Sequence, residues 1–151
     1  MLKTIISDTS CFIILNNIGE LYLLHEVYGQ VRTTIDIANE YGEKLPDWVE
    51  IREVKDKYRQ QLLEMQIDKG ESSAIALALE TSDSTLILDD HKARRIAEQL
   101  GLPYTGTIGV LIKAKLLGHI PSIKPLLARI RQTDFRISSD IEIQALREAN
   151  E

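Results

Sequence analysis

The chain predicts an α/β fold, a parallel sheet covered by helices on both faces. Three observations carry that reading. Short β-rich runs alternate with stretches of helical period along the chain. Two of those runs, "KTIIS" at 3–7 and "TLILDD" at 85–90, are apolar and each ends at an aspartate, as a buried strand does on reaching solvent. The chain of 151 residues, 44% apolar and 27% charged, is the size of one ordinary domain and can bury a full core.

The elements follow in order. "KTIIS" is a buried strand ending at Asp8. "TSCFIILNNIG" and "GELYLLHEVYG" are two short helices, broken at Gly19 and stopped near Gly29. "VRTT" is a brief strand. "TTIDIANEYGEKL" is a helix capped by Thr33 or Thr34, and Pro46 prevents its continuation. "VEIREV" alternates apolar and charged residues, the pattern of a half-exposed edge strand. "DKYRQQLLEMQ" and "GESSAIALALETS" are helices, the second strongly apolar on one side. "TLILDD" is the next strand, followed by the basic helix "HKARRIAEQLG" with Gly101 as its C-terminal cap. "LPYTG" is a short strand or extended segment. "TIGVLIKAKLLG" and "SIKPLLARIRQT" are further helices. A terminal helix over 139–149 is capped by Ser138 or Ser139, and the whole of 1–151 reads as a single domain.

Composition narrows the function classes. No uncharged apolar stretch has the length of a membrane span, and "MLKTIISDTSCFIIL" lacks a signal peptide's uninterrupted apolar run and cleavage site. The single cysteine, Cys11, excludes an internal disulfide framework, suits a reducing cytoplasm, and lies in an apolar segment that assigns it to the core. The net charge of −5 hides an asymmetry. Residues 1–90 carry 8 Lys/Arg against 17 Asp/Glu, whereas residues 91–136 carry 9 against 2. A basic segment beside an acidic one is an electrostatic pointer to nucleic acid.

Ligands of open parallel sheets sit beyond the carboxyl ends of the strands. Asp8 and the pair Asp89/Asp90 end strands, so they can share that edge. Glu40 in "IANEYG" and Glu71 in the opening turn of "GESSAIALALE" complete a set of candidate acids. Each also has a plain structural use. Asp8 and one aspartate of the pair suit helix N-caps, Glu71 suits the positive end of a helix, and Glu40 suits a solvated helix face. Two adjacent aspartates at the end of a buried strand still exceed what one cap needs. Burying such charges is costly without a compensating cation, and hard Mg²⁺ or Mn²⁺ prefers carboxylate and water oxygens.

The motifs "ISDTS", "IANEYG", "GE-x-x-AI-x-LA", "LDD-x-x-AR-x-x-A-x-x-LG" and "TGT-x-G-x-L", in this order over about residues 3–137, resemble the PIN domains. The resemblance is greatest to small prokaryotic PIN proteins related to VapC-like toxin ribonucleases. It implies a PIN-like three-layer α/β/α sandwich with a central parallel sheet. It implies a Mg²⁺- or Mn²⁺-dependent endoribonuclease whose cluster of acids is Asp8, Glu40, Glu71 and either Asp89 or Asp90. A Glu stands at the third position, where Asp is commoner. Thr107 stands where many relatives carry another acid or polar residue. The same resemblance implies a homodimer and, as a possible partner, an antitoxin protein. The Leu and Ile of "TIGVLIKAKLLG" and "SIKPLLARI" are numerous enough to cover a partner or a second copy.

In the mechanism so implied, Asp8 and one aspartate of the pair are direct metal ligands, and Glu40 and Glu71 complete the shell or orient water. Ser10 hydrogen-bonds a ligand or a phosphate. Lys92, Arg94, Arg95, Lys113 and Lys115 neutralise the backbone of single-stranded RNA, with Thr107 beside them. The competing reading is a PIN scaffold that binds RNA or a partner without catalysis. Other hydrolase signatures are absent: no G-x-x-x-x-G-K-[ST], no H-E-x-x-H, and three scattered histidines without ligand spacing.

Overall fold

A computed structural model describes residues 3–151. Five strands, β1 (Thr4–Ser7), β2 (Val31–Thr34), β3 (Val49–Arg52), β4 (Ser84–Ile87) and β5 (Tyr104–Thr105), form one sheet in the order β3-β2-β1-β4-β5. Every pairing is parallel. The helices are α1 (Thr9–Asn17), α2 (Leu23–Tyr28), α3 (Ile35–Tyr41), α4 (Lys57–Glu64), α5 (Lys69–Leu79), α6 (His91–Gln99), α7 (Thr107–Leu116), α8 (Lys124–Arg131) and α9 (Ser139–Glu148).

Residue chemistry explains the strand order. The central strands β1 and β4 contribute Ile6, Leu86 and Ile87, all fully buried, because helices cover both faces there. The outermost β3 exposes Ile51 and Arg52, which makes it the edge strand its alternating pattern predicts. Helix α5 lies against β1, β2 and β4. Its run Ala74–Ala78 is entirely buried, and the small alanines let the helix approach the sheet closely. Helices α4 and α6 flank α5, while α1, α2 and α9 gather around α7. This is the three-layer α/β/α sandwich.

The chain runs outward from β1 through β2 to β3, then returns to lay β4 and β5 on the other side of β1. The order therefore reverses between β1 and β4. Their register, Thr4↔Ser84 to Ser7↔Ile87, brings the residues that follow both strands side by side. Asp8 N–H donates to Ile87 O at 3.1 Å and extends the ladder by one step.

The capping alternatives resolve. Thr34 caps α3, its Oγ1 accepting from Ile37 N–H at 3.1 Å, while Thr33 Oγ1 donates to Ser7 O at 2.9 Å and ties β2 to β1. Ser138 caps α9. Cys11 is fully buried, as its apolar setting predicts. Some elements are shorter than their patterns: α2 covers only Leu23–Tyr28 and β3 only Val49–Arg52. Helix α3 ends at Tyr41, not near Leu45, because Gly42 adopts φ 78° and turns its N–H back to Ala38 O. A left-handed residue at this position closes a helix.

A carboxylate site at the switch point

The strand order reverses between β1 and β4, and acids follow both strands at their carboxyl ends. Asp8 leaves β1 and caps α1, its Oδ1 accepting from Cys11 N–H at 2.9 Å. Its Oδ2 accepts from Asp89 N–H at 3.0 Å, across the gap to β4. The carboxyl is 3% exposed. Burial, with Asp89 beside it, pushes Asp8 up to about 7, against the downward pull of the two amides and of Arg94.

The adjacent aspartates divide their work. Asp90 caps α6, its Oδ2 accepting from Ala93 N–H at 2.9 Å. Asp89 turns to the other side, where Oδ1 accepts from Thr107 N–H at 2.9 Å and Oδ2 from Thr107 Oγ1 at 2.6 Å. Glu71, half-buried in the first turn of α5, is pushed up to about 8 by burial and by the carboxylates of Asp90, Asp68 and Asp8 around it. Glu40 is exposed at the last turn of α3 and lies over the start of α5, where a side chain at Gly70 would begin 3.1 Å from Glu40 Oε1.

Asp68 is the acid that sequence reasoning missed. It occupies the N-cap of α5 without capping it through its side chain, so its carboxylate is free to act on Glu71. Its sequence setting, Asp68-Lys69-Gly70-Glu71 ahead of an apolar run, has the spacing of a capping box and so points to a cap that the structure does not form.

The basic and polar candidates scatter. Lys92 and Arg95 are exposed on α6, next to the acid edge. Arg94 turns inward, its Nε donating to Leu88 O at 2.6 Å and its Cζ lying 5.4 Å from the Tyr104 ring centroid. Thr107 is fully buried on Asp89 and presents no surface to RNA. Lys113 and Lys115 stand in the last turn of α7, whereas Thr107 opens that helix at the acid edge. Lys113 Nζ lies 4.9 Å from the Tyr28 ring centroid, and Lys115 Nζ donates to Ala149 O at 2.6 Å. The ten residues of α7 hold both lysines away from the acids, because a helix rises about 1.5 Å per residue. Ser10 is exposed but lines a hollow of 280 Å³ with Ile13, Asn17 and Phe135. The apolar surface expected from the two helices is also smaller. Leu126, Leu127 and Ile130 of α8 are core, and Leu116 and Leu117, at the end of α7, are exposed.

The donors at this edge are all hard oxygens, the chemistry a small divalent cation selects. A carboxylate has about four acceptor positions, so Asp8 and Asp89 retain lone pairs beyond the bonds they accept. As they stand, no three His, Cys, Asp or Glu side chains among the described residues are gathered closely enough to hold an ion. The residues thus fit a cation by donor type, and their carboxylates converge electrostatically without forming a closed cage.

A parallel sheet with carboxylates at its switch point defines a class, the α/β domains that bind beyond their strand ends. A family model named DUF3368 and described as a PIN domain matches residues 4–151, and the chain belongs to the PIN-domain family. That family has a nuclease-type fold. No curated protein matches the chain. Among the described residues no helix is long and apolar enough to cross a membrane.

Proposed function

We propose that this PIN domain is a metal-dependent endoribonuclease acting on single-stranded RNA. The observation that carries the reading is the buried carboxylate of Asp8, bonded to the Asp89 amide and acting on Glu71, which Asp90 and Asp68 also crowd. So many acids around a largely buried one are unfavourable until a cation compensates them. Asp8 and Asp89 are the ligands, with Asp90 and Glu71 beside them, and Mg²⁺ or Mn²⁺ is the cation. Bound there, such an ion supplies Lewis acidity and a coordinated water of lowered pKa. The chain does the rest. Asp8 and Asp89 are held by backbone amides, so their oxygens are set before substrate arrives. Glu71 and Glu40, on the α5 side, orient water and complete the shell. Lys92 and Arg95 bind phosphates of the RNA backbone, which confers affinity without reading sequence.

A second reading has its own observation. Asp8 and Asp90 each cap a helix, and Asp89 is bonded twice to Thr107, so three of the acids have structural employment. On that reading the domain binds RNA or a partner, including an antitoxin, without catalysis. Incubation of purified protein with a single-stranded RNA, in Mn²⁺ and in chelator, separates the two. Cleavage abolished by chelator and by Asp8→Asn supports the nuclease. RNA retained intact in Mn²⁺, with binding unchanged, supports the scaffold.

A further inference from the structure

The peptide unit joining Leu88 to Asp89 is held at both ends. Its carbonyl, Leu88 O, accepts from Arg94 Nε at 2.6 Å, and its N–H, on Asp89, donates to Asp8 Oδ2 at 3.0 Å. In a trans peptide these two groups point in opposite directions, so one rigid plane connects the guanidinium to the carboxylate. A cation on the carbonyl also polarises the amide and strengthens its bond to Asp8.

Arg94 is itself seated. Its Cζ lies 5.4 Å from the Tyr104 ring centroid. Its terminal nitrogen presses on Gly106, where an added Cβ would stand 2.0 Å from Nη2 and 3.0 Å from Asp89 Oδ1. Gly106 has φ −121° and ψ −178°, extended backbone that any residue adopts. Glycine matters here for space and not for conformation, since an added side chain would have to displace the Arg94 guanidinium. The space belongs to Arg94 and Asp89.

We propose that Arg94 is a positioning residue that locks the Leu88–Asp89 peptide so that Asp8 and Asp89 present their carboxylates together, with Gly106 providing its seat. It does not grip RNA. This inference rests on the metal-site reading, and its consequence has a sign opposite to simple electrostatics. Removing a positive charge beside acids should tighten cation binding. Removing a positioning residue should loosen it, by about 10–100-fold for a partner that orients a ligand.

The test uses wild type, Arg94→Met and Gly106→Ala, with Mn²⁺ affinity measured by calorimetry and the Asp89 amide proton shift measured by NMR in chelator. Both variants should bind Mn²⁺ more weakly, and both should move the Asp89 amide upfield as its bond to Asp8 lengthens. Gly106→Ala should cost little further once Arg94→Met is present, since the two act as one unit. Arg94→Lys keeps the charge but not the planar fork. It should restore less than half of the lost affinity, and it takes the place of Arg94→Met if that variant does not fold. Unchanged or tighter Mn²⁺ binding with an unmoved amide overturns the proposal. So does weaker RNA binding at undiminished Mn²⁺ affinity, which would return Arg94 to phosphate contact. If wild type binds no Mn²⁺, the metal reading fails alone, and the amide shift still decides whether the lock exists.

Discussion

The Asp89 amide and the Asp8 carboxylate, 81 residues apart in sequence, are joined by a 3.0 Å hydrogen bond. That bond links the ends of β1 and β4 and ties the backbone of Asp89 to the Asp8 carboxylate.

Asp8→Asn should abolish Mn²⁺-dependent RNA cleavage while leaving the fold intact, since the amide oxygen can still accept from one backbone N–H. Activity assays on matched preparations check this. Cleavage at the wild-type rate would assign the activity to another site or to a contaminant.

Cation binding should show in thermal melts. A ligand that binds the folded state alone stabilises it by about 2.7 kcal/mol at a hundredfold excess over Kd. Mn²⁺ should therefore raise the wild-type melting temperature by several degrees and barely move Asp8→Asn or Glu71→Gln. A wild type indifferent to millimolar Mn²⁺ and Mg²⁺ would sink the metal site.

Without metal, the same acids set a pH dependence. Burial raises Asp8 from 3.8 to about 7, and burial with neighbouring acids raises Glu71 from 4.5 to about 8. An acid whose folded pKa is raised binds its proton more tightly in the folded state. The stability it contributes is complete below its unfolded pKa and is lost as pH rises through the folded value. In chelator, the wild type should lose stability relative to Asp8→Asn between about pH 4 and pH 7. Parallel melting curves across that range would contradict it.

RNA affinity should depend on the exposed cations of α6. Lys92→Ala with Arg95→Ala should lower the slope of log K against log salt by about 1.4, or about 0.7 per lost phosphate contact on a single strand. Lys115→Met, at the far end of α7, should leave that slope where it was. Equal losses from both sets would place the RNA along α7.

Much of this was legible in the chain. Strands β1 and β4 announced themselves as apolar runs ending in aspartate, and α6 by its cap, its basic face and Gly101. Those signals are local. The surroundings of Arg94 and Thr107 are not, because their partners lie elsewhere in the chain. "AR" on α6 looks like a phosphate grip until β5 lies beside β4 and places Tyr104 and Gly106 against the guanidinium. Thr107 looks like a surface hydroxyl until the same pairing buries it on Asp89. Lys115 likewise meets Ala149 O, on the terminal helix, from across the fold. A basic residue's type says what it can bind, and only tertiary packing says what already occupies it.

The parallel sheet also governs when the site can come into being. The central strand pairs with a segment some eighty positions later, Thr4 with Ser84 and Ser7 with Ile87. Pairings this distant form slowly, because the loop must close before the contact repays it. During synthesis from the N-terminus, Asp8 emerges early but has no counterpart until β4 follows, and the Asp89 carboxylate has none until Thr107 does. The acidic edge is thus absent from a growing chain, and any nuclease activity it carries would be born only when the last strand has docked.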